Sequence, residues 1–159
     1  MAESELAGQV LDAWKIHSRI VLYLLEAIPP EALGDSATKK GRTVAAHLAH
    51  IHNVRLMWLK ASAPERMAGL EKVQAGDGTT KEALAHALTQ SADAIAGLLE
   101  SAIETGGKVK SFKPHAAAFM SYLISHEGYH TGKIDLILSL NGHALPDKAH
   151  YGIWEWGVR

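Results

Sequence analysis

Apolar residues recur at every third or fourth position along four long stretches of the chain, separated by clusters of Pro, Gly and Thr. The first predicted helix runs from about Glu5 to Ile28, with Val10, Trp14, Val21, Leu25 and Ile28 on one stripe, and stops before Pro29-Pro30. A second opens near Thr43, a suitable N-cap after the Gly41 turn, and continues through AAHLAHIHNVRLMWLKA. Pro64, Gly69, Gly76 and Gly78 break the pattern. The third begins at the capping box Thr79-x-x-Glu82, carries Leu84, Leu88, Ile95, Leu99 and Ala102 on one face, and ends at Gly106-Gly107. Pro114 suits the first turn of the fourth, HAAAFMSYLISHEGYHTGKIDLILSL, which stops at the left-handed terminator Asn141-Gly142. No alternating strand pattern of useful length is present. Four helices with one apolar face each are expected to bury those faces around a single core, as a four-helix bundle in one domain over residues 1–159. The remaining tail, NGHALPDKAHYGIWEWGVR, is too rich in Pro and Gly to extend the last helix. Its Tyr151, Trp154 and Trp156 are costly to leave in water, so the tail is expected to fold over the bundle or join a subunit interface.

The same periodicity sorts the histidines. In the fourth helix Phe119, Leu123, His126, His130, Ile134 and Ile137 share one stripe, which turns both imidazoles inward. In the second, His47, His50, Val54 and Met57 form the expected inward stripe, while His52 falls on the far side, toward solvent. His17, between Trp14 and Val21, also looks inward. A single inward histidine is ordinarily a core residue with its hydrogen bonds satisfied, and His17 and His47 are read that way. Three imidazoles converging from two helices are a different case. Buried without partners they would cost several kcal/mol, and protonating them would add mutual repulsion. A divalent cation removes both costs, because an i, i+4 pair on one helix plus one ligand from a facing helix supplies nitrogens at about 2.0–2.1 Å. The trio His50, His126 and His130 is therefore the candidate metal site.

Composition narrows the chemistry. Of 159 residues 47% are hydrophobic and 21% charged, the balance of a folding domain. With 16 basic and 17 acidic side chains there is no excess positive charge for a nucleic-acid partner. The absence of cysteine excludes disulfides, thiolate ligands and a cysteine nucleophile, so any metal is held by histidine or oxygen. No basic-then-apolar leader and no run of about 18 apolar residues is present, so a cytoplasmic protein with no membrane partner is expected.

HEGYH, residues 126–130, matches the H-E-x-x-H signature of zinc peptidases, in which Glu127 would activate water. The metzincin continuation fails, since H-T-G-K-I-D-L puts its glycine one place early and lacks a third histidine. Glu155 is a nominal third ligand, but no helix is predicted to present it, and there is no sheet to bind a peptide by strand addition. Glu127 lies about 100° from His126 on the helix and reads as a surface or inter-helix residue.

TVAAHLAHIHNVRLMWL resembles the second helix of DinB-like (damage-inducible) proteins, and HEGYHTGKIDLILSLNG resembles the H-x-x-x-H-x-G segment of that family's last long helix. The resemblance implies an up-down four-helix bundle, commonly a homodimer, with a divalent metal on three histidines, here His50, His126 and His130. Where relatives commonly carry Arg and Gln around the glycine after the last histidine, this chain has Thr131 and Lys133. Related proteins of this fold include thiol-dependent S-transferases and isomerases. The implied activity is thus a metal-dependent transfer of a low-molecular-weight thiol or hydrolysis of a small molecule, with a non-catalytic metal- or ligand-binding bundle as the alternative and an H-E-x-x-H zinc peptidase as a minor one. Imidazole ligands suit zinc or nickel foremost, and also iron or copper. Asn53, Glu127 and Tyr129 are candidate pocket groups around the ion.

Overall fold

A computed structural model describes residues 2–159, with side-chain surroundings from Glu5 onward. Four long helices, α1 (Ala2–Ala27), α2 (Val44–Ser62), α3 (Lys81–Glu104) and α4 (Ala116–Leu140), are followed by a short α5 (Asp147–Gly152). Among the described residues there is no strand beyond one isolated bridge between Ser36 and Thr43. None of these helices is long and apolar enough to cross a membrane.

The helix ends follow from local chemistry. Thr43 caps α2 as expected, its hydroxyl accepting from the Ala46 N–H at 3.1 Å. At α3 the expectation shifts by one residue. Thr80 is the cap, accepting from Ala83, whereas Thr79 accepts from the Gly76 N–H and closes the preceding turn. Pro114 stands just outside α4, and the cap is His115, whose Nδ1 accepts from the Ala118 N–H at 3.1 Å. α4 ends as its Asn-Gly predicts: Gly142 adopts φ 79°, and the His143 N–H returns to the Leu138 carbonyl at 2.9 Å.

Contacts between helices run in a ring, α1 to α3 to α2 to α4 and back to α1, with α1 and α2 on a diagonal. Lys81 donates to the carbonyls of Glu26 and Ile28, which ties the start of α3 to the end of α1 and makes the two antiparallel. His47 faces His130 and His50 faces His126, so α2 and α4 are antiparallel as well. By contrast α2 and α3 run the same way, since Arg55 reaches Leu88 and Arg66, just beyond α2, reaches Ser101. The helices therefore run up-down-down-up, not in the simple up-down alternation expected; the second and third are parallel neighbours, and their connection must return along the bundle.

That connection corrects two expectations. As it crosses α2, Asn53 donates to the Val73 carbonyl at 2.8 Å and accepts from the Val73 N–H at 3.0 Å, while His52 Nε2 lies 2.8 Å from the Glu71 carbonyl. His52 is therefore only 2% exposed rather than near solvent. Asn53 is occupied by the crossover backbone instead of lining a pocket. Because α2 is covered by α3 and this segment, its buried arc runs through Leu48, Ile51, Arg55 and Leu59, and Met57, expected to face inward, is exposed.

The core divides into two apolar clusters, one around Val21, Leu25, Leu88 and Ile134, the other around Trp14, Leu59, Ile95, Phe119 and Leu123. Between them lies a polar layer to which each long helix contributes one residue: His17, Arg55, Ser91 and Glu127, all buried. Glu127 is thus an inter-helix residue. Arg55 donates from Nε and Nη2 to its two carboxylate oxygens, each at 2.7 Å, and His17 Nε2 meets Oε2 at 2.8 Å. The tail does fold back, α5 docking on α1 where Gly152 leaves room for Tyr23; a Cβ there would sit 2.5 Å from the Tyr23 hydroxyl. Its aromatics are covered only in part, with Trp156 against His17 and with Tyr151 and Trp154 left exposed.

Candidate metal centre

His50 comes from α2 and His126 and His130 from successive turns of α4, and one ring nitrogen of each lies within 4.8 Å of the others. His50 Nε2 and His126 Nε2 are 3.3 Å apart. Two ligands at about 2.0–2.1 Å from an ion in tetrahedral geometry are themselves separated by about 3.3 Å, so this pair already stands at the edge length of a coordination polyhedron. The ring centroids of His50 and His126 lie 4.6 and 4.7 Å from that of His130. His130 is buried while His50 and His126 are half-buried, which leaves the cluster open on one side. A closed structural site would have a fourth protein ligand; this set of three retains a free position.

The rings are held neutral. Burial, with the neighbouring imidazoles and Arg42, pushes His130 down to about 3. Burial together with Arg42, Lys133 and His50 takes His47 to about 4. His50 and His126 are also lowered, chiefly by burial. Neutral imidazole is the form that binds a metal, so the apo site presents lone pairs instead of charges.

His47 is the residue that its reading as an ordinary core histidine undervalued. Its Nδ1 lies 2.9 Å from His130 Nδ1. This contact occupies His130 Nδ1 and leaves Nε2 for an ion; in the tautomer that binds through Nε2 the Nδ1 proton is donated to His47, which would then fix the ring direction of a ligand. His126 lacks such support, since its Nδ1 is buried without a partner among the described residues and its ring stacks on Tyr122 at 6.4 Å. Tyr122 belongs to an aromatic group with Trp58, Phe112 and Phe119 that walls this side of the site. Tyr129, a candidate pocket group, is exposed; its ring packs against His130 at 5.2 Å and carries the Lys133 ammonium 4.5 Å above it.

The carboxylate of the H-E-x-x-H word is engaged elsewhere. Burial alone would raise the Glu127 carboxyl, but the Arg55 guanidinium and the His17 hydrogen bond outweigh it and bring it to about 2. With both oxygens bonded within the core, Glu127 is not aimed at water beside the histidines. Glu155 pairs with Arg159 in the tail at 3.2 Å. Arg55 escaped the sequence reading, although the signal was there. It interrupts the apolar series Leu48, Ile51, Leu59, just as Glu127 interrupts Leu123, Ile134, and opposite charges in two facing core stripes are each other's natural partners.

The model of the DinB family matches residues 1–154 of the chain. No curated protein and no solved structure gives a match.

Proposed function

This chain belongs to the DinB family, and from that premise we propose that it is a metal-dependent enzyme whose ion is held by His50, His126 and His130. The observation that carries the reading is the 3.3 Å separation of two Nε2 atoms from different helices, beside a third neutral imidazole and an open flank. Bound there, a divalent ion supplies Lewis acidity toward water or an incoming thiol. The chain's own groups suggest an anionic reactant. Arg42 and Lys133 are exposed cations whose charge is felt at the histidines, and they favour approach of a thiolate or carboxylate to the open side. The aromatic wall of Trp58, Phe112 and Tyr122 supplies an apolar surface next to His126 for the rest of that molecule.

The reaction class is transfer of a low-molecular-weight thiol to an electrophilic acceptor, or hydrolysis of a small ester or amide; zinc or nickel is the proposed ion. A peptidase is disfavoured because Glu127 is spent on Arg55 and His17. The proposal includes a homodimer. Tyr122, Tyr129, Leu136 and Leu140 lie along one exposed flank of α4, and sedimentation of wild type against a Leu136→Glu, Leu140→Glu variant tests that flank. The activity test is a screen of the zinc- and nickel-loaded protein with small thiols and electrophiles, and with small esters. Turnover that requires the ion and disappears in His130→Ala supports the enzyme. Full metal occupancy with no turnover supports the non-catalytic alternative instead.

A further inference from the structure

An apolar cavity lies away from the histidine cluster. It occupies about 260 Å³ between α1, α4 and the C-terminal tail, and is walled by Ile20, Leu24, Ile124, Ile153, Trp154 and Trp156. On α4 it is bordered by Gly128 and Gly132, each two residues from a metal-site histidine and so about 200° around the helix from it. A Cβ built on either glycine meets nothing within 4 Å, so this flank of the helix is bare backbone facing open space.

One polar group stands at the inner wall. His17 lines the cavity and is 5% exposed. Its Nε2 is bonded to Glu127, whose carboxylate is held ionised by the two Arg55 donors. The carboxylate accepts the hydrogen on Nε2, so the neutral ring has its lone pair on Nδ1, which has no hydrogen-bond partner among the described residues. The result is an oriented acceptor at the end of an apolar slot flanked by two indoles. His150 and Asp135, 3.6 Å apart, mark its polar rim. A cavity of about 150 Å³ accommodates one benzene ring, so the larger volume here suits a bicyclic aromatic, and the indoles offer faces on which it can stack.

We propose that this cavity is a second binding site, independent of the metal centre, for a planar bicyclic aromatic molecule bearing one hydroxyl or N–H that donates to His17 Nδ1. The class of ligand follows from the volume, the two tryptophans and the buried His17 acceptor.

The test is calorimetric titration of the full chain, metal-free and zinc-loaded, with 2-naphthol and with 2-methoxynaphthalene, which has the same rings but no donor. The expected result is one saturable site per chain for 2-naphthol with the same affinity in both metal states. The methoxy compound should bind about fivefold more weakly or worse, the worth of one neutral hydrogen bond. Gly132→Leu, which fills the slot while improving helix propensity, should reduce 2-naphthol affinity at least tenfold, and His17→Leu should erase the preference between the two ligands. Should His17→Leu fail to fold, the ligand pair and Gly132→Leu still decide. No saturable binding, equal affinity for the two ligands, dependence on zinc, or indifference to Gly132→Leu would each overturn the proposal. Binding that weakens as protein concentration rises would also overturn it, because a second copy of the chain would then be filling the slot.

Discussion

Replacing Glu127 with glutamine leaves the Arg55 guanidinium buried at 1% exposure without its counter-charge, with the Leu88 carbonyl, the Ser91 hydroxyl and at most one amide oxygen as acceptors. Replacing Arg55 with methionine leaves the Glu127 carboxylate buried with His17 alone. Breaking one side of a buried ion pair in this way costs about 3–5 kcal/mol, because the remaining charge keeps its desolvation penalty and loses its compensation. The lowered carboxyl of Glu127, which has the same Arg55 pairing as its main cause, points to the same order of magnitude. Its carboxyl is depressed from the ordinary 4.5 to about 2, a shift equivalent to about 3 kcal/mol of stability. For a depressed carboxyl that contribution is complete above about pH 4.5 and is lost as pH falls toward 2. The double variant Arg55→Met, Glu127→Gln has no stranded charge, and the new amide oxygen can still accept from His17 Nε2. Urea unfolding of the four proteins at pH 7 should therefore give single variants each destabilised by about 3–5 kcal/mol, and a double variant short of their sum by at least about 2 kcal/mol. Single variants within about 1 kcal/mol of wild type, or strictly additive losses, would refute the description of this layer as a tightly coupled charge pair.

Other outcomes follow from the same structure. Asn53→Ala removes both hydrogen bonds to Val73 and should cost about 1–3 kcal/mol in urea unfolding while leaving metal stoichiometry unchanged; a loss of bound metal would return Asn53 to the site. His47→Ala should retain one ion per chain but weaken zinc affinity about 10- to 100-fold by calorimetry, since it removes the acceptor that orients His130. Unfolding of the metal-free protein should be pH-dependent in the histidine range. Burial and neighbouring charges depress His47 to about 4 and His130 to about 3, so the unfolded chain takes up protons first as pH drops below about 6.5. Stability should fall from there to about pH 4, and more steeply in saturating zinc, whose ligands must all stay neutral; a flat profile between pH 7 and 5 would contradict the lowered values.

Much of this architecture was written in the local pattern. The four helices, the Thr43 cap, the Asn141-Gly142 stop and the convergence of His50, His126 and His130 depend largely on residues within a turn or two of one another, where periodicity and capping chemistry act directly. His52 and Asn53 were misplaced because their partners, Glu71 and Val73, arrive on a crossover that exists only because α2 and α3 are parallel neighbours. A helical wheel drawn for one helix does not contain that information. His47 was undervalued for a related reason. Its importance lies in one bond to a ring 83 residues away, and geometry at that range is set by packing. Arg55 and Glu127 were legible only jointly, each being an oddity in its own stripe and an explanation of the other.

Zinc titration of the metal-free protein at pH 7.5, wild type beside a His50→Ala, His126→Ala, His130→Ala variant of verified helicity, bears most directly on the centre of this account. One ion per chain in the wild type and none in the variant is the predicted result. Equal zinc uptake by the two proteins would contradict it.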